Sequence, residues 1–187
     1  MDNKSFKSLD GSIDDTFKYQ KVKKLYKIKS KHLSIIGKGN SISAIPFSKK
    51  STLIEMINNK EIKLDENKSI LSLTANFTAY ETHNYLLKNK YFFPSFPSYP
   101  NVTIGACVAN CTHGITPRMG VMNKFVEEIK IFNPNFGLKT LSKKKNKELF
   151  DLTIGGMGIT GIIIEVKLRV FKLKSSYIKI SKKKKIL

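Results

Sequence analysis

The sequence predicts an α+β fold in two lobes, a small α/β lobe followed by a mainly antiparallel sheet that carries helices. Three observations lead there. Strand–helix–strand units come first along the chain and hairpin-linked strands later, an order that suits layered α+β packing. Hydrophobic residues make up 41% of the 187 positions, enough for one real core. Glycine gathers in three segments, residues 37–41, 103–114 and 148–164, each beside a run that reads as strand.

Taken in order, residues 1–17 are polar and lack periodicity, with Asp10-Gly11 as a turn. Residues 19–29 place Val22, Leu25 and Tyr26 at i, i+3, i+4, the spacing of an amphipathic helix. Residues 32–36 read as a short strand running into Gly37. Leu53 and Ile57 repeat at helical spacing, and a loop with a short strand is the alternative. Residues 69–74 alternate and read as a strand. Residues 78–89 read as a helix, because Thr78 and Glu81 have the spacing of a capping box and Leu86 and Leu87 supply an apolar face. Pro94, Pro97 and Pro100 lack a donor N–H and mark an extended connector.

Residues 102–109 fit either a strand or the start of a helix. Residues 125–132 read as a strand, 133–137 as a turn and the following residues as its hairpin partner. Residues 146–152 read as a short helix and 159–171 as a long β-branched strand. Residues 175–180 read as one more strand, and Lys182 to Lys185 form a frayed like-charge tail. The lobes are expected at about 18–90 and 91–173, with a basic tail over 174–187.

Net charge is +20, which favours nucleic acid, anionic lipid or acidic ligands. Only two of the 34 basic residues, Arg118 and Arg169, are arginine. Dedicated readers of phosphate and bases lean on the arginine fork. The lysines are also scattered, so the charge reads as solvated surface and no specific nucleic-acid partner is expected; peripheral membrane contact through the lysines stays open. No apolar run approaches the ~20 residues that cross a bilayer. The start has no apolar signal core, so the expected compartment is the cytoplasm. Cys107 and Cys111 lack further Cys partners, and His32, His83 and His113 are scattered. No metal site is expected, and the cysteines read as small buried side chains.

Gly37, Lys38, Gly39, Asn40 and Ser41 follow a strand. Glycine lets successive N–H groups converge on an anion, with Lys38 and Ser41 adding a charge and a donor. Residues 97–106 combine a rigid proline turn with Thr103, Ile104, Gly105 and Ala106, whose small side chains leave room for a ligand. Residues 148–164 hold Gly155, Gly156, Gly158 and Gly161 in what reads as strand. Glycine weakens a strand unless backbone or ligand approaches closely, so a flat, side-chain-free surface is expected there.

Together these segments resemble the flavoprotein family whose FAD domain is shared by vanillyl-alcohol oxidase, p-cresol methylhydroxylase (the PCMH type) and decaprenylphosphoryl-ribose oxidase. The family pattern runs G-x-G-R-S, then P-x-x-P-G-x-x-x-V-T-V-G-G-x-I-A-x-D-x-H-G, then E-L-F-x-x-x-x-G-G-x-G-L-T-G-I-I. Residues 8–12 also resemble a bacterial branch associated with surface-polysaccharide genes. The resemblance implies a PCMH-type FAD-binding fold and non-covalent FAD between two lobes. It implies that residues 37–41 cradle the pyrophosphate, and that Ser98 and residues 103–106 continue along it and the ribityl chain. It implies that Asn110, Cys111, Thr112, His113 and Gly114 flank the isoalloxazine, and that Gly158, Gly161 and Ile163 line the adenine end. His113 is the one catalytic candidate beside the flavin.

The departures are Asn40 for arginine, Ser98 and Ala106 for glycines, and Cys111 for the acidic residue. The implied activity is oxidation of a CH–OH group in a sugar or sugar-linked lipid. Family members continue into a cap domain that holds substrate, so a separate chain supplying the cap is an expected partner. A truncated inactive relic, or a non-enzymatic basic binding protein for nucleic acid or anionic membrane, is the alternative reading.

Overall fold

Residues 2–56 build one sheet and residues 62–169 a second, larger one. The structure is a computed structural model and describes residues 2–8, 10–24, 32–40, 47–57, 59–114 and 119–175. In the first sheet β1 (Asp2–Lys7) and β2 (Asp14–Val22) form an antiparallel hairpin. Asp10 closes its turn by accepting from the Ser12 N–H at 3.0 Å and the Ser8 hydroxyl at 2.6 Å. Next come β3 (Leu33–Ile36) and β4 (Thr52–Met56). β4 lies parallel to both β2 and β3, giving the order β1-β2-β4-β3.

The second part runs β5 (Ile62–Asp65), β6 (Ile70–Thr74), α1 (Ala79–Lys88), β7 (Tyr91–Phe92) and α2 (Ile104–Ala109). It continues with β8 (Val126–Asn133), β9 (Gly137–Ser142), α3 (Lys147–Thr153), β10 (Ile162–Arg169) and β11 (Phe171–Lys172). The order β5-β6-β10-β8-β9 is antiparallel throughout, and β7 pairs with β11. The fold is therefore mixed α+β with mostly antiparallel pairing, as the sequence predicts.

Several expectations are corrected. Residues 19–22 belong to β2, not to a helix; Phe17 and Tyr19 alternate with lysines and bury one face of the strand. Residues 25–29 of that expected helix lie outside the described residues, as do Ser41 and everything after residue 175 of the strand expected over 175–180 and of the tail expected over 174–187. The polar start is a strand, because β1 is exposed along nearly its whole length and needs no apolar period. Two alternatives that the sequence leaves open are decided: Leu53 and its neighbours form the strand β4, and residues 104–109 form a helix. The first sheet ends at Met56 and the second begins at Ile62, with β6 paired to β10. The glycines at 155–161 occupy a turn between α3 and β10 rather than a strand.

α1 starts where the sequence places it. The Thr78 side chain accepts from the Glu81 N–H at 3.1 Å, and Glu81 accepts from the Thr78 N–H at 2.8 Å. Such a cap stabilises a helix by about 1 kcal/mol.

Two irregularities in the β8–β10 ladder decide what faces where. The register shifts between Ile163 and Glu165 and again between Lys167 and Leu168. The first shift changes the side-chain parity of β10. Ile163, Val166 and Leu168 therefore pack in the main core with α1, α2 and α3. Ile162 and Ile164 face the other way, against Val22, Leu33, Ile35, Ile54 and Met56 of the first sheet. The outer face of the first sheet has its own small core of Phe17, Tyr19, Ile36 and Leu53, covered by Phe6, Ile13 and Phe47.

The Tyr19 hydroxyl donates to Glu55. Burial, and then the neighbouring carboxylate, raise its pKa from the ordinary 10.0. The folded state therefore holds this proton more tightly than the unfolded chain, and the contribution is complete below pH ~10 and lost as pH rises beyond it. Tyr19→Phe is expected to cost about 1–3 kcal/mol at pH 7 in chemical denaturation, the range for a hydrogen bond to a charged group and an orphaned partner. The variant is also expected to lose less stability than the parent between neutral pH and pH ~11.

Candidate functional site

A cleft of about 890 Å³ opens where the two sheets meet. One wall is β3, the loop at residues 37–40 and the end of β4 at 55–57, with Lys60 beyond it. The facing wall is Ala75 and Asn76 after β6, the N-cap Thr103 with the α2 residues Gly105, Ala106 and Ala109, and Asn110. The Phe132–Asn135 turn and residues 157–159 and 161–164 complete it. A small apolar floor with a few convergent polar groups is the usual form of a cofactor site.

Glycine is required where these segments touch. A Cβ on Gly37 would come within 2.7 Å of Thr103 Oγ1 and would have to displace the hydroxyl that caps α2. Gly161 has φ +141°, and a Cβ there would meet the Phe132 carbonyl at 2.6 Å. Part of the glycine content of 155–161 thus serves the chain's own turn and packing, a correction to the expectation of a bare ligand-facing surface. The segments are also tied by hydrogen bonds. Asn40 Nδ2 donates to the Asn101 carbonyl at 2.7 Å. The Gly155 and Met157 N–H groups donate to Val108 and Ala109 at 3.0 and 2.9 Å, and the Ala75 N–H to Ile164 at 2.8 Å.

The two loops differ in which of their N–H groups are already bonded. At the start of α2, Ile104 donates to Phe77, Gly105 to Ala75, Ala106 to the Thr103 hydroxyl and Cys107 to Thr103. Those N–H groups are already used. Among the described residues, the N–H groups of Gly37, Lys38, Gly39 and Asn40 have no protein acceptor. Four free donors beside a cleft fit an anionic group such as a diphosphate.

The structure brings Gly37, Lys38, Gly39, Asn40, Thr103, Gly105, Ala106, Asn110, Gly158, Gly161 and Ile163 onto the cleft wall. It keeps Ile104 in the main core, fully buried. Ser98 is exposed and away from the wall. Cys111, Thr112, His113 and Gly114 also stand off the wall. Thr112 is bound by the Ser95 hydroxyl at 2.8 Å, and a Cβ on Gly114 would overlap the Pro94 carbonyl. His113 is exposed and bridges to Val121. Cys107 is buried and its thiol is pushed up to about 11 by that burial, so it packs as a small hydrophobe.

Sequence reasoning missed Leu33, Ile35, Met56, Lys60, Asn76, Phe132 and Ile164. They reach the wall through strand parity and sheet order, for which no local motif exists. Lys60 is held by Glu81. Burial opposes the Glu81 charge, but hydrogen bonds from Lys60 and Thr78 outweigh it and keep the carboxyl below its usual range. Among the described residues, no three His, Cys, Asp or Glu side chains are grouped to hold a metal, and no helix is long and apolar enough to cross a membrane.

The FAD binding domain family matches residues 14–142 of the chain. A D-arabinono-1,4-lactone oxidase of Candida glabrata is 24% identical over 176 residues, covering 88% of this chain and 32% of the relative. A mitochondrial L-galactono-1,4-lactone dehydrogenase of Arabidopsis thaliana is 25% identical over 134 residues, covering 72% and 22%. A mitochondrial D-lactate dehydrogenase (cytochrome) of Arabidopsis thaliana is 35% identical over 99 residues, covering 50% and 17%. The chain spans about a third or less of the length of these curated relatives. It belongs to the FAD binding domain family: it carries a PCMH-type FAD-binding domain, and its cofactor is FAD.

Gly161→Ala is expected to lower unfolding stability by about 1–3 kcal/mol in urea even without flavin, the cost of overpacking a rigid site. An unchanged denaturation midpoint would mean that the Gly161–Phe132 approach does not constrain the fold.

Proposed function

We propose that this chain is the cofactor-binding part of a flavin-dependent oxidoreductase that oxidises a CH–OH group of a small hydroxylated substrate. The observation that carries the reading is the row of free N–H groups at residues 37–40 on the wall of a cleft built by an FAD-binding domain. In this reading Gly37, Lys38, Gly39 and Asn40 hold the FAD pyrophosphate. Thr103 shapes the approach to the ribityl chain, with Gly105 and Ala106 leaving room for it. Gly158, Gly161 and the Ile162–Ile164 backbone flank the adenine, and Asn110 borders the flavin ring. Bound FAD supplies the two-electron chemistry that turns a CH–OH group into a carbonyl. The chain's own residues bind and orient the cofactor and keep water from the apolar floor formed by Ile35, Ile162 and Ile164.

FAD is held without a covalent bond. His113 lies off the cleft wall, with its Nδ1 3.3 Å from the Gly114 carbonyl. An aldonolactone is the favoured substrate class, because two of the relatives above carry that substrate in their names; the sugar-linked lipid implied by the sequence resemblance ranks below it. A substrate-holding cap region outside the matched segment completes the active site.

The test is a visible spectrum of protein loaded with FAD and desalted. Retained peaks near about 370 and 450 nm, the bands of bound oxidised flavin, are expected. Acid precipitation is expected to release the flavin into the supernatant. Gly37→Val, whose side chain overlaps Thr103, is expected to retain none. A folded parent protein that keeps no flavin would overturn the reading.

A further inference from the structure

Within this reading of the cleft as the FAD site, a second cation has no assigned role. Among the described residues, three ionisable side chains line the cleft, Lys38, Glu55 and Lys60. The Glu55 carboxylate is occupied by the Tyr19 hydroxyl. The Asn40 amide is committed to the Asn101 carbonyl, so the side chains of the 37–40 loop offer one charge, that of Lys38. A diphosphate carries more than one negative charge, and leaving one without a cation is costly in a partly desolvated cleft.

Lys60 lies in the link between β4 and β5 and is held by two contacts. Its ammonium donates to Glu81 and sits 5.2 Å over the Phe77 ring, and its side chain is 37% exposed. Glu81 is itself bound by the Thr78 N–H and hydroxyl, at 2.8 and 3.0 Å. Thr78 pairs with Thr103, the residue against which Gly37 packs. A lysine normally spends considerable side-chain entropy when it is ordered in a complex. Here the α1 cap orders it beforehand, at the edge of the cleft, and two of its three N–H groups are left to face a ligand.

We propose that Lys60 is a phosphate-binding residue of this site, preset by Glu81 and acting together with the free N–H groups at 37–40. The site thus takes its second cation from the β4–β5 link, outside every glycine-bearing segment.

The test is FAD titration of the parent, Lys60→Gln, Lys60→Arg and Lys63→Gln proteins, followed by flavin fluorescence from low salt to about 1 M, where exposed charges are screened within ~3 Å. Lys60→Gln is expected to bind FAD about tenfold more weakly at low salt, the loss of a charge-assisted hydrogen bond, and to approach the parent at high salt. Lys60→Arg is expected to stay near the parent. Lys63→Gln, on the exposed side of β5, is expected to match it throughout. Unaltered affinity of Lys60→Gln, a deficit equal at all salt concentrations, or an arginine variant as weak as the glutamine one would overturn the proposal. A parent protein that binds no FAD would instead overturn the reading of the cleft, and this proposal with it.

Discussion

The close packing of α2 against its neighbours is the constraint on which the rest of the structure depends. This helix is only six residues long, too short to stand alone. Its first turn donates to Ala75 and Phe77, its last carbonyls accept from Gly155 and Met157, and Gly37 lies against Thr103 at its start. Ile104, Cys107 and Val108 anchor its other face in the main core. One short element thus fixes the relative positions of all three glycine-bearing segments. The cleft exists because small residues there leave a gap after the backbone hydrogen bonds have been satisfied.

The two faces of β10 show how a sheet can serve two purposes. Three consecutive isoleucines would ordinarily point one to one side and two to the other, with the remaining strand following in step. The register shift after Ile163 sends Ile163, Val166 and Leu168 to the helices while Ile162 and Ile164 meet the first sheet. The floor of the cleft is therefore continuous with the packing that joins the sheets. The strongly basic composition is a separate matter. Lys7, Lys49, Lys68, Lys130, Lys147 and Lys167 pair with exposed carboxylates spread over both sheets, and such surface pairs contribute little to stability.

Much of the fold was legible because its signals are local. The Thr78–Glu81 cap, the Asn133-Pro134-Asn135 turn with Gly137 after it, and the β-branched run of β10 each carry their own chemistry. β1 and β5 were not legible, since short or exposed strands show no apolar period. Residues 102–109 were ambiguous because their β-branched content suits a strand, and only the Thr103 cap and tertiary bonds select the helix. In the site, the 37–40 loop announced itself through glycine. The walls from β3 and β4, and Lys60, did not, because their side chains are brought together by sheet order across long stretches of sequence.

The measurement that bears most directly on this account is amide hydrogen exchange of the protein with and without FAD. Exchange reads N–H groups one segment at a time. The account predicts fast exchange at residues 37–40 in the stripped protein and strong slowing there on FAD addition, with little change in the already bonded first turn of α2. Unchanged exchange at 37–40, with slowing confined to other segments, would contradict the assignment of these donors to the cofactor.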